Sequence, residues 1–220
     1  MTRCIKALLR MSLPLACLLA AGCTGMATHP YSPPHAPMRA AVPVTAPAPA
    51  ATINPKGDPD QRFSTALKLM KDHQPQEAQA AFLALARDFP GFSGPLTDLA
   101  ILYAQGHQRS QAIAGLAKAV AVNPRNAIAW NWLGTLYRES NDYVRAEQSY
   151  QQALSARADY AVAHLNLGIL YEVSMKQPQD ALNQYREYLK SAGKEDLIVS
   201  AWIKELEAST NTTVASGATP

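Results

Sequence analysis

Cysteine is scarce in this chain of 220 residues: Cys4, Cys17 and Cys23 are all there are, and none follows residue 23. Over the remaining length a disulfide, a structural zinc site and a cysteine nucleophile are therefore excluded. Aromatic residues make up 7% of the chain while 48% is hydrophobic, much of it alanine. That balance disfavours a sheet sandwich and favours closely packed small-residue helices. A charge excess is missing too. The formal net charge is +3, but Arg3, Lys6 and Arg10 open the chain with no acid beside them, and setting these three of the 20 basic residues aside leaves as many basic residues as the 17 acidic ones. With no basic cluster downstream there is little electrostatic means of holding phosphates, and nucleic-acid binding is set aside. Long apolar runs are also lacking. The stretch "MSLPLACLLAAG" ending at residue 22 is about 12 residues, or roughly 18 Å as a helix, against a hydrocarbon core of about 30 Å. Pro14 shortens the useful helix further.

What stands at the start instead reads as a secretory signal over residues 1–22, with a basic opening, an apolar middle and small residues at its end. Ala20, Ala21, Gly22 and Cys23, with Leu19 just upstream, resemble the bacterial lipobox. Leucine stands one place earlier than is usual in that motif. The resemblance implies a diacylglycerol on the Cys23 thiol, cleavage before Cys23, and acylation of the new amine. Several acyl chains anchor stably where one binds marginally. Thr24, where an aspartate would retain the protein at the inner membrane, implies an outer-membrane anchor and a periplasmic domain in a double-membraned bacterium. Residues 23–58 then form a Pro/Ala-rich linker with eight prolines and no helical or strand periodicity. It is expected to stay disordered and extended, since it cannot bury enough apolar surface to offset ordering. Within it "SPPHAP" is only a weak match to a proline-rich recognition motif.

Beyond the linker, "GDPDQRF" marks a helix start, with Asp58 as cap and Pro59 in the first turn. A period of 34 residues follows, over 59–92, 93–126, 127–160 and a slightly longer 161–196. The eighth place holds Ala66, Ala100, Gly134 and Gly168, small where two helices cross closely. The eleventh holds Leu69, Tyr103, Tyr137 and Tyr171. The twentieth holds Ala78, Ala112, Ala146 and, after a one-residue insertion, Ala181. The twenty-fourth supplies Phe82, Leu116, Tyr150 and Tyr185.

This pattern resembles the tetratricopeptide repeat family, most closely in the third repeat with Trp130, Leu133, Gly134, Tyr137, Ala146, Tyr150 and Ala153. The resemblance implies an all-α solenoid of about four helical hairpins over 59–209. Departures are Ala158 where proline is usual and a longer inter-helix turn, "SMKQPQD", in repeat four. The segment 196–209 reads as a capping helix with Ile198, Trp202 and Leu206 on one face, because an end repeat would otherwise expose its apolar side. Residues 210–220 read as a frayed tail.

No catalytic constellation stands out: there is no phosphate-cradling glycine loop, no H-E-x-x-H and no nucleophile elbow. No enzyme activity, cofactor, metal or small-molecule substrate is expected. His73 and His107 fall in inter-helix turns, and His164 occupies a packed place. In this family the first helices line a concave face, and the resemblance places Asn131, Trp132, Thr135, Arg138, Asn166 and Ile169 on it as partner-binding candidates. The basic residues that hold a terminal carboxylate in chaperone-binding members are missing. A mixed apolar and amide groove suits an extended or helical protein segment. Lipoproteins of this architecture serve as pilotins, as adaptors of peptidoglycan hydrolases and in energised envelope complexes, so the implied role is a membrane-anchored periplasmic scaffold for a protein partner. The alternatives are a self-associating structural subunit or an accessory part of a peptidoglycan-processing enzyme.

Overall fold

Helix starts follow the expected chemistry. In the computed structural model, which describes residues 56–216 and side chains through residue 210, the Asp58 carboxylate accepts from the Asp60 amide at 3.1 Å. Helix α1 (Pro59–Lys71) begins there and is followed by α2 (Pro75–Asp88). Three further pairs repeat the unit: α3 (Ser93–Gln105) with α4 (Arg109–Val122), α5 (Ala127–Glu139) with α6 (Tyr143–Ala156), and α7 (Ala161–Ile169) with α8 (Pro178–Ala192). Helix α9 (Leu197–Ser216) closes the series. The described residues are all-helical, in four hairpins and a terminal helix. The signal segment, Cys23 and the linker up to Pro55 lie outside the described residues, as do residues 217–220.

Each hairpin reverses through a left-handed residue two places before its second helix: His73, His107, Asn141 and Lys176, with φ between 56° and 59°. Left-handed backbone strains residues carrying a Cβ, and asparagine tolerates it best. The longer fourth repeat is absorbed differently from expectation. Its turn is no longer than the others. Instead α7 continues as a π-helical turn, Leu170–Met175, before Lys176. One extra residue in a helix is accommodated by i→i+5 bonding, which leaves the hairpin turn and the second helix in place.

Hairpins close over small side chains. Ala66, Ala100, Ala78, Ala112, Ala146 and Ala181 are fully buried. Clusters centred on Phe63, Phe82 and Leu85, on Leu116 and Leu133, and on Tyr150, Leu170 and Tyr185 run in chain order along the stack. Each second helix packs on the next first helix. First helices α3 and α5 also touch, as do α5 and α7, whereas second helices of neighbouring repeats meet less. A stack in which one row touches and the other splays curves toward the touching row, so the first helices line the concave side.

The end cap differs from expectation in face and length. Val199, Trp202 and Leu206 are buried, and the Trp202 ring lies 5.8 Å from that of Tyr185. Ile198 is 51% exposed. The buried stripe therefore starts one residue later, because Asp196 caps the amides of Ile198 and Val199 and sets the helix phase. The helix also runs through 210–216, expected as frayed tail. "TNTTVAS" holds no proline or glycine to stop it, and Gly217 is the first such signal.

Candidate functional site

The concave face is built differently along its length. In repeat two its polar groups serve the joints. Thr97 is buried, donates to the Ser93 carbonyl at 3.0 Å, and accepts from the Asn126 amide at 2.9 Å. Asn126 in turn caps α5 through the Ala129 amide. Pro95 and Asp98 are buried as well.

Repeats three and four leave more exposed. Trp132, Thr135, Arg138, Asn166, Glu172 and Val173 are half-buried and stand on the first helices. Asn131 and Ile169, expected to face a partner, are 5% and 8% exposed. Asn131 lies at the joint, where its Oδ1 accepts from the Asn166 amide at 3.0 Å. Ile169 packs in the core around Tyr185 and Trp202. Ile169 shares place nine of its repeat with half-buried Thr135, so the packing around it and not its place covers it, while Asn131 is spent at the joint; the other four candidates reach the surface.

Beneath this surface lies a device that the sequence pattern only half reveals. A Cβ placed on Gly134 would stand 2.6 Å from the Tyr150 ring, and one on Gly168 would stand 2.6 Å from the Tyr185 ring. Each glycine thus admits a fully buried tyrosine from the second helix under the first. The hydroxyls emerge on the concave side. The Thr135 hydroxyl lies 3.2 Å from both the Asn131 carbonyl and the Tyr150 hydroxyl and hydrogen-bonds with each. The Arg138 guanidinium stands close enough for its charge to act on the Tyr150 hydroxyl. Burial raises the Tyr150 pKa, against the opposing pull of Arg138 and Thr135, so the ring stays neutral. In repeat four the Tyr185 hydroxyl donates to Glu172 at 2.8 Å. Periodicity marks the twenty-fourth place as core and gives no hint of these hydroxyl contacts. Glycine at the eighth place paired with tyrosine at the twenty-fourth is the signal that could have found them.

Other expected packing roles are visible. Trp130 donates through its indole to the Pro124 carbonyl at 2.9 Å. His164 is buried with one ring nitrogen 2.8 Å from Gln184 Oε1 and the other 2.9 Å from the Ala158 carbonyl, tying the loop before α7 to α8. Among the described residues no group of His, Cys, Asp and Glu is arranged to hold a metal ion, and no helix is long and apolar enough to cross a membrane.

Comparison with known proteins agrees with this architecture. Residues 97–161 match the tetratricopeptide repeat family. The solved structure of MamA residues 41 to the end from Desulfovibrio magneticus RS-1 has a TM-score of 0.60 at 16% identity, over 75% of this chain and 92% of that one. PilF of Pseudomonas aeruginosa gives 0.62 at 20% identity, over 71% and 70%. TTC0263, a thermophilic TPR protein of Thermus thermophilus, gives 0.57 at 26%, over 69% and 82%. No curated protein matches by sequence. The described hairpins form a solenoid of the tetratricopeptide-repeat kind.

Proposed function

We propose that the protein is a non-enzymatic, membrane-tethered adaptor that binds a segment of a protein partner in its concave groove and supports assembly of a cell-envelope complex. The observation that carries this reading is the contrast along the concave face. In repeats three and four a tryptophan, an amide, a hydroxyl and a guanidinium are held half-exposed on a rigid helical row, whereas Thr97 of repeat two is buried and spent on a joint. A groove of that kind binds by burial plus a few oriented hydrogen bonds. Similarity to tetratricopeptide-repeat proteins supports a scaffolding role. The lipobox-like end of the signal supports a lipid on Cys23, with the outer membrane and periplasm as the place of action. A tether of that length keeps the groove near the membrane and raises the effective concentration of its partner there.

The reading is tested by crosslinking in cells, comparing the native chain with a Trp132→Ala, Arg138→Ala, Asn166→Ala variant. One defined envelope partner should be captured by the first and lost with the second. Equal capture by both would refute the groove. Cys23→Ser should release the chain from membranes or block its processing, and normal membrane fractionation would refute the tether.

A further inference from the structure

We infer that the partner presents an acidic side chain, and that Arg138 is the residue that receives it. This rests on the reading of repeats three and four as a binding groove, and names the chemistry of what enters. Arg138 sits in the last turn of α5 and is half-buried. Its Nε is shielded from solvent and meets no acceptor among the described residues. No ion pair forms at Arg138 among them either.

That state is unusual in this chain. Arg62 pairs with Asp88 at 2.9 Å, Arg109 with Glu139 at 3.8 Å, Arg145 with Asp142 at 2.5 Å and Arg186 with Glu207 at 2.6 Å. Arg157 also has a shielded Nε without an acceptor, but it stands over the Tyr160 ring, 3.8 Å from its centre, at the end of second helix α6 and not on the row of first helices. A guanidinium cannot shed its charge, and drawing it partly out of water without a carboxylate is unfavourable. Arg138 carries that cost on the face where a partner would arrive.

Its setting is also prepared. The fully buried Tyr150 ring, admitted by Gly134, lies close enough for the Arg138 charge to act on its hydroxyl. The Arg138 Nε is buried against the protein, which restricts the side chain before any ligand is present and lowers the ordering cost of binding. A fixed guanidinium fork matches a carboxylate through two parallel hydrogen bonds. On the next first helix, Asn166 uses one amide proton on Asn131, which stands seven residues before Arg138 along α5. The second N–H of Asn166 and its carbonyl oxygen suit a peptide backbone. The further basic residues that would hold a terminal carboxylate are missing from this face, so the acid is an internal aspartate or glutamate. The equivalent place is Ala104 in repeat two and the Tyr185-bonded Glu172 in repeat four. The acid therefore has one address, and it sets the register of the segment.

The test uses the full chain and a library of random peptide segments, each fused to carrier protein at both ends so that no free terminal carboxylate is present. Segments retained by the native chain should share an aspartate or glutamate at one position. Replacing that acid, or Arg138 by alanine, should weaken binding on the order of tenfold to a hundredfold. Arg138→Lys should restore part of the loss, and Arg138→Glu should retain segments with lysine or arginine at that position instead. Tyr150→Phe should cost a few-fold in affinity while leaving the acidic preference intact. Thermal melts of each variant separate loss of binding from loss of fold, with Arg138→Gln as the substitute if the alanine variant does not fold. Segments without a shared acid that bind equally to Arg138→Ala yet are lost with Trp132→Ala would overturn the role of Arg138 and leave the groove standing. Segments indifferent to both substitutions, or no retained segment at all, would overturn both.

Discussion

The first two hairpins and the last two solve the same packing problem with different residues. Where helices cross, repeat one buries Ala66 in one cluster with Phe82 and repeat two sets Ala100 against Gly115 beside Leu116, while repeats three and four set Gly134 against Tyr150 and Gly168 against Tyr185. In the first pair the crossing is apolar throughout. In the second, losing one methyl group lets an aromatic ring pass under the first helix, and its hydroxyl orders the polar groups above it. Packing in the C-terminal half thus reaches the concave surface, where Arg138 and Glu172 are held. The lesson is that a core substitution can be what arms a groove.

The sharpest way to break this comparison is at the crossings. Gly134→Ala or Gly168→Ala drives a Cβ to 2.6 Å from a buried ring and should cost about 1–3 kcal/mol in urea unfolding, as overpacking does. The reverse change in the other half, Ala66→Gly or Ala100→Gly, should cost only about 1 kcal/mol, the helix-propensity difference. Equal costs in both halves would dissolve the distinction. Next come the rings. Phe82→Tyr brings a hydroxyl toward Leu67 and Met70, which fill the places where Thr135 and Glu172 meet the tyrosine hydroxyls in the later repeats. That change should cost about 1–3 kcal/mol for a buried group without a partner. Tyr150→Phe, which removes one hydrogen bond to Thr135, should cost about 0.5–1.5 kcal/mol by the same measurement.

The smallest effect is nil at neutral pH and appears in alkali. Tyr171, by burial and its hydrogen bond to Glu147, and Tyr188, by burial and its hydrogen bond to Asp196, have pKa values raised from 10.0 to about 12. Below pH 10 both folded and unfolded chains keep these protons. Between 10 and about 12 the unfolded chain ionises first, so stability should fall as pH rises through that window. Both residues belong to repeat four. Circular dichroism melts should show a shallower alkaline loss in a Tyr171→Phe, Tyr188→Phe variant, and an unchanged slope would remove this difference between the halves.

Much of the fold was legible because the repeat writes its own alignment: starts at Pro59, Ser93, Ala127 and Ala161 follow from one period and from the small residues at the crossings. The terminal helix was legible in existence but not in phase, since Asp196 as cap decides whether Ile198 or Val199 faces inward. The π-helical turn was not legible at all. A single extra residue can lengthen a turn or a helix, and only packing on both sides of α7 selects the second. Four of the six groove candidates lie at the surface and two beneath it, because helical phase alone does not say how closely the next repeat covers a side chain.

Partner binding at the concave face of repeats three and four is the central claim. The most direct test places a photo-crosslinking amino acid, one position at a time, at Trp132, at Asn166, at Ala104 on the repeat-two face, and at Val144, which is 63% exposed on a second helix. One partner should be crosslinked from residues 132 and 166, weakly or not at all from 104, and not from 144. Crosslinks that arise from 144 and spare 132 and 166 would contradict the claim.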